Sequence, residues 1–245
     1  MSERRYAFFV MLLFLLTSCS QEMPSGLRLY LNFDENLSDS STNNFNGRSQ
    51  STVIYEQGEC RFSLKIGNNT TDAIYLNRNS VNQLRDFTFS FLAKINGFNR
   101  NNNLISCANK FQENELIIGY NSMEDKFMDG WHLIVNGIRF HFENSVLMDD
   151  FNWHHIIITR KGRVGRLIID GQQVGNVIAV DSKPLDVAVD GFVIGQDQDC
   201  VSGCFQQGQS WHGNIDELKI FSTALEGESL ENLTCLKRYK IFAGN

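Results

Sequence analysis

The chain has 245 residues, 42% of them apolar, with 19 Phe against only 2 Pro. That length suits one large β domain or two small ones, and the balance fits long strands, since aromatic residues favour strands and Pro interrupts them. The formal net charge is −6 with no basic run, which excludes nucleic acid as a partner because phosphate binding needs clustered Lys and Arg.

In chain order, Met1 to Arg5 carries two arginines, Tyr6 to Leu16 is apolar, and Leu16-Thr17-Ser18-Cys19 sets small residues before a cysteine. The apolar run is shorter than the roughly 20 residues of a membrane-spanning helix. The pattern resembles a bacterial lipoprotein signal with its lipobox. That resemblance implies a leader over residues 1–18, lipid attachment at Cys19, a short tether over residues 19–25 and a folded domain over residues 26–245. The expected location is the cell envelope, at the outer membrane, with the membrane engaged only through the lipid. An ordinary secretory signal with a chance cysteine is the alternative.

Gly26 to Phe33 alternates apolar and polar residues, as a half-buried strand does. Asp34 to Gly47 is rich in Asn, Asp and Ser and reads as turns. Short strands follow at Val53–Tyr55, Phe62–Ile66 and Ala73–Leu76, then a strong one at Phe87–Ile95 with Phe87, Phe89 and Phe91 on one face. Asn99–Asn103 reads as an exposed loop. Leu104–Ala108 and Glu115–Tyr120 read as strands joined through Asn109–Asn114. Asn136-Gly137 and Asp170-Gly171 each sit between apolar runs, and such pairs accept the positive φ angles of tight hairpin turns. Trp153–Arg160 reads as a buried strand. Glu226–Leu233 is the only expected helix. With no βαβ alternation, repeat or linker, the fold class is all-β: an antiparallel jelly-roll β-sandwich with one short C-terminal helix.

The most informative stretch is Gly195 to Phe221. Asp197, Gln198, Asp199, Gln206, Gln207 and Gln209 make an oxygen-rich loop that runs into a strand at Trp211–Phe221. Calcium accepts six to eight such oxygens; a solvated acidic loop is the competing reading. Cys200 and Cys204 could staple this loop in an oxidising compartment. Cys60 with Cys235 is a second conceivable pair, and Cys107 falls in an apolar run as a buried thiol.

Several segments together resemble the laminin-G-like and pentraxin-like branch of the concanavalin A-like jelly rolls. They are Trp153-His154-His155 through Asp170-Gly171, Gly213-Asn214-Ile215-Asp216-Glu217-Leu218, and Asp86 to Phe91. The pentraxin likeness is sharper over Ile105 to Ile118 and Asp197-Gln198-Asp199. It implies a first calcium ion held by Glu113, Asn114, Asp197, Asp199 and the Gln198 carbonyl. A second ion would share Asp197 and Asp199 and add Gln206 and Gln209. Gln206 stands where an acid is expected, so the second ion should bind more weakly. The positions matching the pentraxin core disulfide are Ser90 and Ile157, so that bridge is missing.

Trp131 and Trp211 are candidates for stacking on sugar rings, and Trp153 is assigned to the core. His154 and His155 flank a buried strand, one facing in and one out, and read as structural. Asp216 could anchor a separate calcium with Asp34 or pair locally. The paired carboxylates of a glycosidase are missing: Asp216 and Glu217 are adjacent, so regular pleating would send them to opposite faces. The expectation is a non-enzymatic calcium-binding module that recognises a glycan or other polar surface ligand. The alternative is an adhesive envelope protein that binds another protein, with calcium only stiffening a loop.

Overall fold

The structure is a computed structural model, described over residues 23–67, 69–97, 99, 101–121, 130–143, 145, 148, 150–231 and 233. The expected leader, Cys19 and Cys235 lie outside the described residues. Within them the strands are β1 (Leu27–Leu31), β2 (Arg48–Ser49), β3 (Ile54–Gln57), β4 (Phe62–Ile66), β5 (Ile74–Tyr75), β6 (Phe87–Ile95), β7 (Asn101–Ala108) and β8 (Asn114–Asn121). There follow β9 (Gly130–Val135), β10 (Ile138–His141), β11 (His154–Lys161), β12 (Val164–Ile169), β13 (Gln172–Ala179), β14 (Phe192–Ile194) and β15 (Gly213–Phe221), then a short helix, α1 (Glu228–Glu231).

Two antiparallel sheets carry these strands. The first has the order β13-β12-β11-β6-β15-β4-β3, with β1 paired to β15; the second has the order β10-β9-β8-β7-β14-β5-β2. The expected jelly-roll sandwich is what forms. Both expected hairpin turns are present, with φ of 50° and 77° at Asn136 and Gly137 and of 50° and 81° at Asp170 and Gly171.

The inner faces make one apolar core. Phe87, Phe89, Phe91, Ile156, Ile158, Ile215 and Ile220 from the first sheet meet Ile105, Cys107, Leu116, Ile118, Leu133 and Ile194 from the second. Cys107 is a buried free thiol. Trp131 and Trp211 belong to this core, both 0% exposed, with ring centroids 6.0 Å apart. Tyr120 and Phe91 complete their cluster. Neither indole offers a face to a ligand, so the stacking role expected of them is corrected: large aromatic surface is worth more buried against aromatic neighbours. Trp153, assigned to the core from sequence, is only half-buried.

Strand β15 lies between β6 and two shorter partners. Its first half pairs with β4 and its second half with β1. Where the partner changes, the register against β6 shifts between Asp216 and Lys219, and Glu217 has φ 53°. This bulge breaks the regular alternation assumed for Asp216 and Glu217. A second apolar cluster, Ile157, Ile168, Phe221, Leu225 and Leu233, covers the outside of this sheet. Ser90 and Ile157, the positions matching the absent bridge, stand directly opposite each other on β6 and β11. Ser90 Oγ instead bonds His155 Nε2 at 2.8 Å.

Candidate functional site

The oxygen-rich loop is pinned at both ends. Gly195 N donates to Leu104 O at 2.7 Å, and Trp211 N donates to Gly195 O at 3.0 Å. Gly195 has φ 91°, and a Cβ there would press on Ile66, so glycine is required at this pinch. The Gln198 side chain ties the loop down: its amide donates to Ser106 O at 2.9 Å and Gly191 O at 2.8 Å, while its oxygen accepts from Ser202 N at 3.0 Å. Cys200 and Cys204 form the expected disulfide, with Cα atoms 5.3 Å apart. Cys60 is also disulfide-bonded.

Asp197 is buried at 5% exposure. Its Oδ2 accepts from Asn103 Nδ2 at 2.9 Å, and its Oδ1 has no partner. Burial, and then the charge of neighbouring Asp199, pushes its pKa up to about 6 against the opposing pull of Arg139 and the Asn103 bond. Asp199 is exposed and accepts from the Gln206 amide at 2.5 Å. Gln206 O accepts from Gln209 N, and Gln209 O accepts from Asn103 N, each at 3.2 Å. Hydrogen bonds through side-chain and backbone groups link Asp197, Asn103, Gln209, Gln206 and Asp199 into an open ring, with Asp199 and Asp197 related only by the repulsion of their charges. Gln209 Oε1 is a second buried oxygen in this ring without a partner. An unpaired buried carboxylate oxygen is costly, so this donor set suits a hard cation with oxygen preference.

Glu113 and Asn114 are placed elsewhere. Asn109 organises their turn: its Oδ1 accepts from the backbone N–H of Phe111 at 2.9 Å and of Glu113 at 3.1 Å, and its amide donates to Glu113 Oε2 at 3.2 Å. Asn114 pairs with Ala108 at one end of β7, whereas Asp197 is held at Asn103 near the other end. Asn103 and Ala108 are five strand steps apart, roughly 16 Å along β7. Asp197, Asp199, Gln206 and Gln209 are thus linked by hydrogen bonds and charge, while Glu113 and Asn114 are held at the Asn109 turn.

Three residues that sequence reasoning missed support Asp197. Asn103, Gly119 and His132 stand in one register row across β7, β8 and β9. His132 Nε2 donates to Asn103 Oδ1 at 3.1 Å, spanning the glycine between them. A Cβ on Gly119 would overlap Asn103 Oδ1 and come within 2.7 Å of His132. Burial, then Arg139 and His141, holds the His132 pKa well below its ordinary value, so the ring is neutral. Asn101–Asn103 was expected to be exposed loop, yet it opens β7, and Asn102 and Asn103 are fully buried. Their amides replace solvent with protein partners: Asn102 bonds the Asn99 backbone and Asn103 bonds Asp197.

The remaining candidates resolve into structure. His154 lies between Asp170, at 2.7 Å from Nδ1, and Asp150, at 3.1 Å from Nε2. Asp216 is fully buried; its oxygens accept from Cys60 N at 3.2 Å and Glu217 N at 2.8 Å. Burial, then the charge of Glu217, raises its pKa to about 7. Glu217 is held by Tyr30 Oη at 2.9 Å and Lys219 Nζ at 2.5 Å. Among the described residues no three His, Cys, Asp or Glu side chains group to hold a metal.

Comparison with known proteins gives a consistent picture. Residues 68–231 match the family model described as the concanavalin A-like lectin/glucanases superfamily. Human pentraxin-4 is 26% identical over 176 residues, covering 69% of this chain and 35% of that protein. A rat protein with sushi, von Willebrand factor type A, EGF and pentraxin domains is 28% identical over 48% of this chain but 3% of its own length. The chain therefore spans about a third or less of these relatives. Among solved structures, a heptameric SAP-like pentraxin from Limulus polyphemus matches with TM-score 0.53 and 23% identity, over 62% of this chain and 71% of that one. Domain 4 of AbnA, an extracellular arabinanase from Geobacillus stearothermophilus solved with arabinotriose, matches with TM-score 0.64 and 16% identity, over 85% and 98%. Sequence match, sheet order and the opposed Ser90 and Ile157 agree: the chain belongs to the concanavalin A-like lectin/glucanase superfamily, as a laminin-G-like and pentraxin-like jelly-roll domain.

Proposed function

We propose that the domain is a non-catalytic, calcium-dependent glycan-recognition module. The observation that carries this reading is the open ring of hydrogen-bonded residues from Asp197 through Asn103, Gln209 and Gln206 to Asp199, in which two buried oxygens have no partner. Calcium there would be held by Asp197, Asp199, Gln206 and Gln209. It would neutralise the two carboxylates and offer further coordination positions to ligand hydroxyls. Asn103, His132 and Gln198 act as positioning residues that fix the loop in the absence of ligand. Relatives by fold support the glycan: one was solved with arabinotriose, and another, botulinum neurotoxin type C, depends for cell entry on interaction with two ganglioside molecules.

The adjacent carboxylates a catalytic reading would draw on are engaged. Asp216 and Glu217 are each committed to backbone or side-chain partners inside the sheet. The lipoprotein-like leader supports an envelope location, with Cys19 lipidated. A Cys19→Ala change should then release the protein from the membrane fraction of producing cells.

The test is a glycan array read with calcium and with chelator, on wild type and on Asp197→Asn and Asp199→Asn. Sugar binding that vanishes with chelator and in both variants supports the reading. Binding indifferent to both overturns it.

A further inference from the structure

We propose that a groove at the β2 edge of the second sheet is a subsite for an acidic sugar residue, one that carries a carboxylate or sulfate. The groove measures about 480 Å³ and is lined by Asn46, Arg48, Leu76, Asn77, Arg78, Asn79, Val189 and Asp190. That volume falls within the range of about 300–1,000 Å³ usual for small-ligand sites. The inference rests on the glycan reading above for its ligand class, but it uses none of the calcium-ring residues.

What distinguishes the groove is its donor excess. Asn46 Oδ1 is occupied by the N–H of Asp39 at 2.8 Å, and Asn77 Oδ1 by the N–H of Asn79 at 3.0 Å. Each amide is left with its NH₂ group to offer. Arg48 and Arg78 add guanidinium donors, which accept nothing. Asp190, the one carboxylate in the lining, is paired with Arg48 and offsets its charge, so the net positive charge of the groove is that of Arg78. A surface with such a surplus matches an acceptor-rich anion, in a chain whose formal net charge is −6.

Both guanidiniums are held in place before any ligand arrives. Arg78 Nη1 donates to Val187 O at 2.9 Å, and Arg48 lies 5.6 Å over the Tyr75 ring while reaching Asp190. The single 187–190 segment therefore anchors both, and a fixed planar fork loses little freedom on binding a carboxylate or sulfate. Val189, 65% exposed, supplies an apolar wall suited to the C–H face of a sugar ring. The groove also adjoins the disulfide-stapled loop, because Ser202 Oγ donates to Asp190 O at 2.7 Å.

The experiment measures affinity for matched oligosaccharides by calorimetry: an oligogalacturonate and its methyl-esterified form, a sulfated galactan oligosaccharide and its desulfated form, and inorganic sulfate alone. Wild type, Arg48→Gln, Arg78→Gln and Asp197→Asn are compared, with thermal unfolding as the folding control. Arg48 has a 60% exposed side chain, so its variant keeps the fold even if Arg78→Gln does not. The expected result is about tenfold or greater preference for one acidic form over its neutral partner, the size of one charge-assisted contact. That preference falls to about threefold or less in Arg48→Gln and Arg78→Gln, whereas Asp197→Asn loses affinity for the acidic and neutral forms alike. Which acidic form is preferred separates carboxylate from sulfate. Equal binding of acidic and neutral forms, preference unchanged in the arginine variants, or inorganic sulfate competing as well as the oligosaccharide overturns the subsite. Calcium-dependent binding without charge preference sinks the groove alone. Charge-selective binding without a calcium response sinks the calcium reading alone.

Discussion

At the scale of single residues, the site depends on one absent side chain and one unpaired oxygen. Gly119 leaves the gap through which Asn103 and His132 meet. A Gly119→Ala substitution should cost about 1–3 kcal/mol, the usual penalty for forcing a methyl into a packed site, and should weaken calcium binding by releasing Asn103. Chemical denaturation with and without calcium reads both effects. Asp197→Asn acts oppositely on the metal-free protein. It removes a buried carboxylate whose Oδ1 lacks a partner, so the metal-free variant should unfold at a higher temperature than wild type while losing calcium stabilisation. Wild type more stable than the variant without calcium would contradict that. Residue-scale chemistry was also where the sequence was least legible. Three consecutive asparagines read as solvated loop because asparagine favours turns, and nothing local reveals that Asp197, 94 positions away, supplies the partner. The tryptophans misled for a related reason: their composition fits a core or a sugar platform equally, and only packing decides.

At the scale of elements, β11 and its neighbours carry two tests. Burial lowers the His154 pKa, but the bonds to Asp170 and Asp150 outweigh it and raise it above its ordinary value. A raised histidine stabilises the fold fully below its unfolded pKa of about 6.5, and the benefit fades as pH rises through the higher folded value. His154→Gln should therefore cost about 0.5–1 kcal/mol at pH 6, the range of partly exposed ion pairs. The gap to wild type should narrow by pH 9; a gap that widens with pH would refute it. The second test uses the opposed Ser90 and Ile157. A Ser90→Cys, Ile157→Cys double variant should form a bridge and gain about 2–4 kcal/mol under oxidising conditions. The loss of the Ser90 bond to His155 offsets part of it. No difference between oxidised and reduced protein would argue against direct opposition. Elements were the most legible level. Asn136-Gly137 and Asp170-Gly171 fixed two hairpins because few residue pairs accept their φ angles. The β15 bulge was not legible, since it arises where β4 gives way to β1, a property of topology rather than of local sequence.

At the scale of the molecule, the sandwich explains why the loop can hold strained chemistry. Its ends are fastened to β7 and to Gly195, its middle to Ser106 and Asp190, so a rigid scaffold bears the cost of an unsatisfied carboxylate. The order of motifs along the chain disclosed this architecture, because a jelly roll repeats the same strand order whatever its loops carry. It did not disclose how the expected ligands are tied, since the Asn103 bond that holds Asp197 and the Asn109 turn that holds Glu113 lie near opposite ends of β7. The most direct test of calcium-dependent recognition is titration calorimetry of the metal-free domain with calcium, repeated on Asp197→Asn and Asp199→Asn. The prediction is one saturable ion per chain, with affinity reduced about tenfold or more in each variant and unchanged by Glu113→Gln. No binding heat, or an affinity indifferent to Asp197 and lost with Glu113, would contradict it.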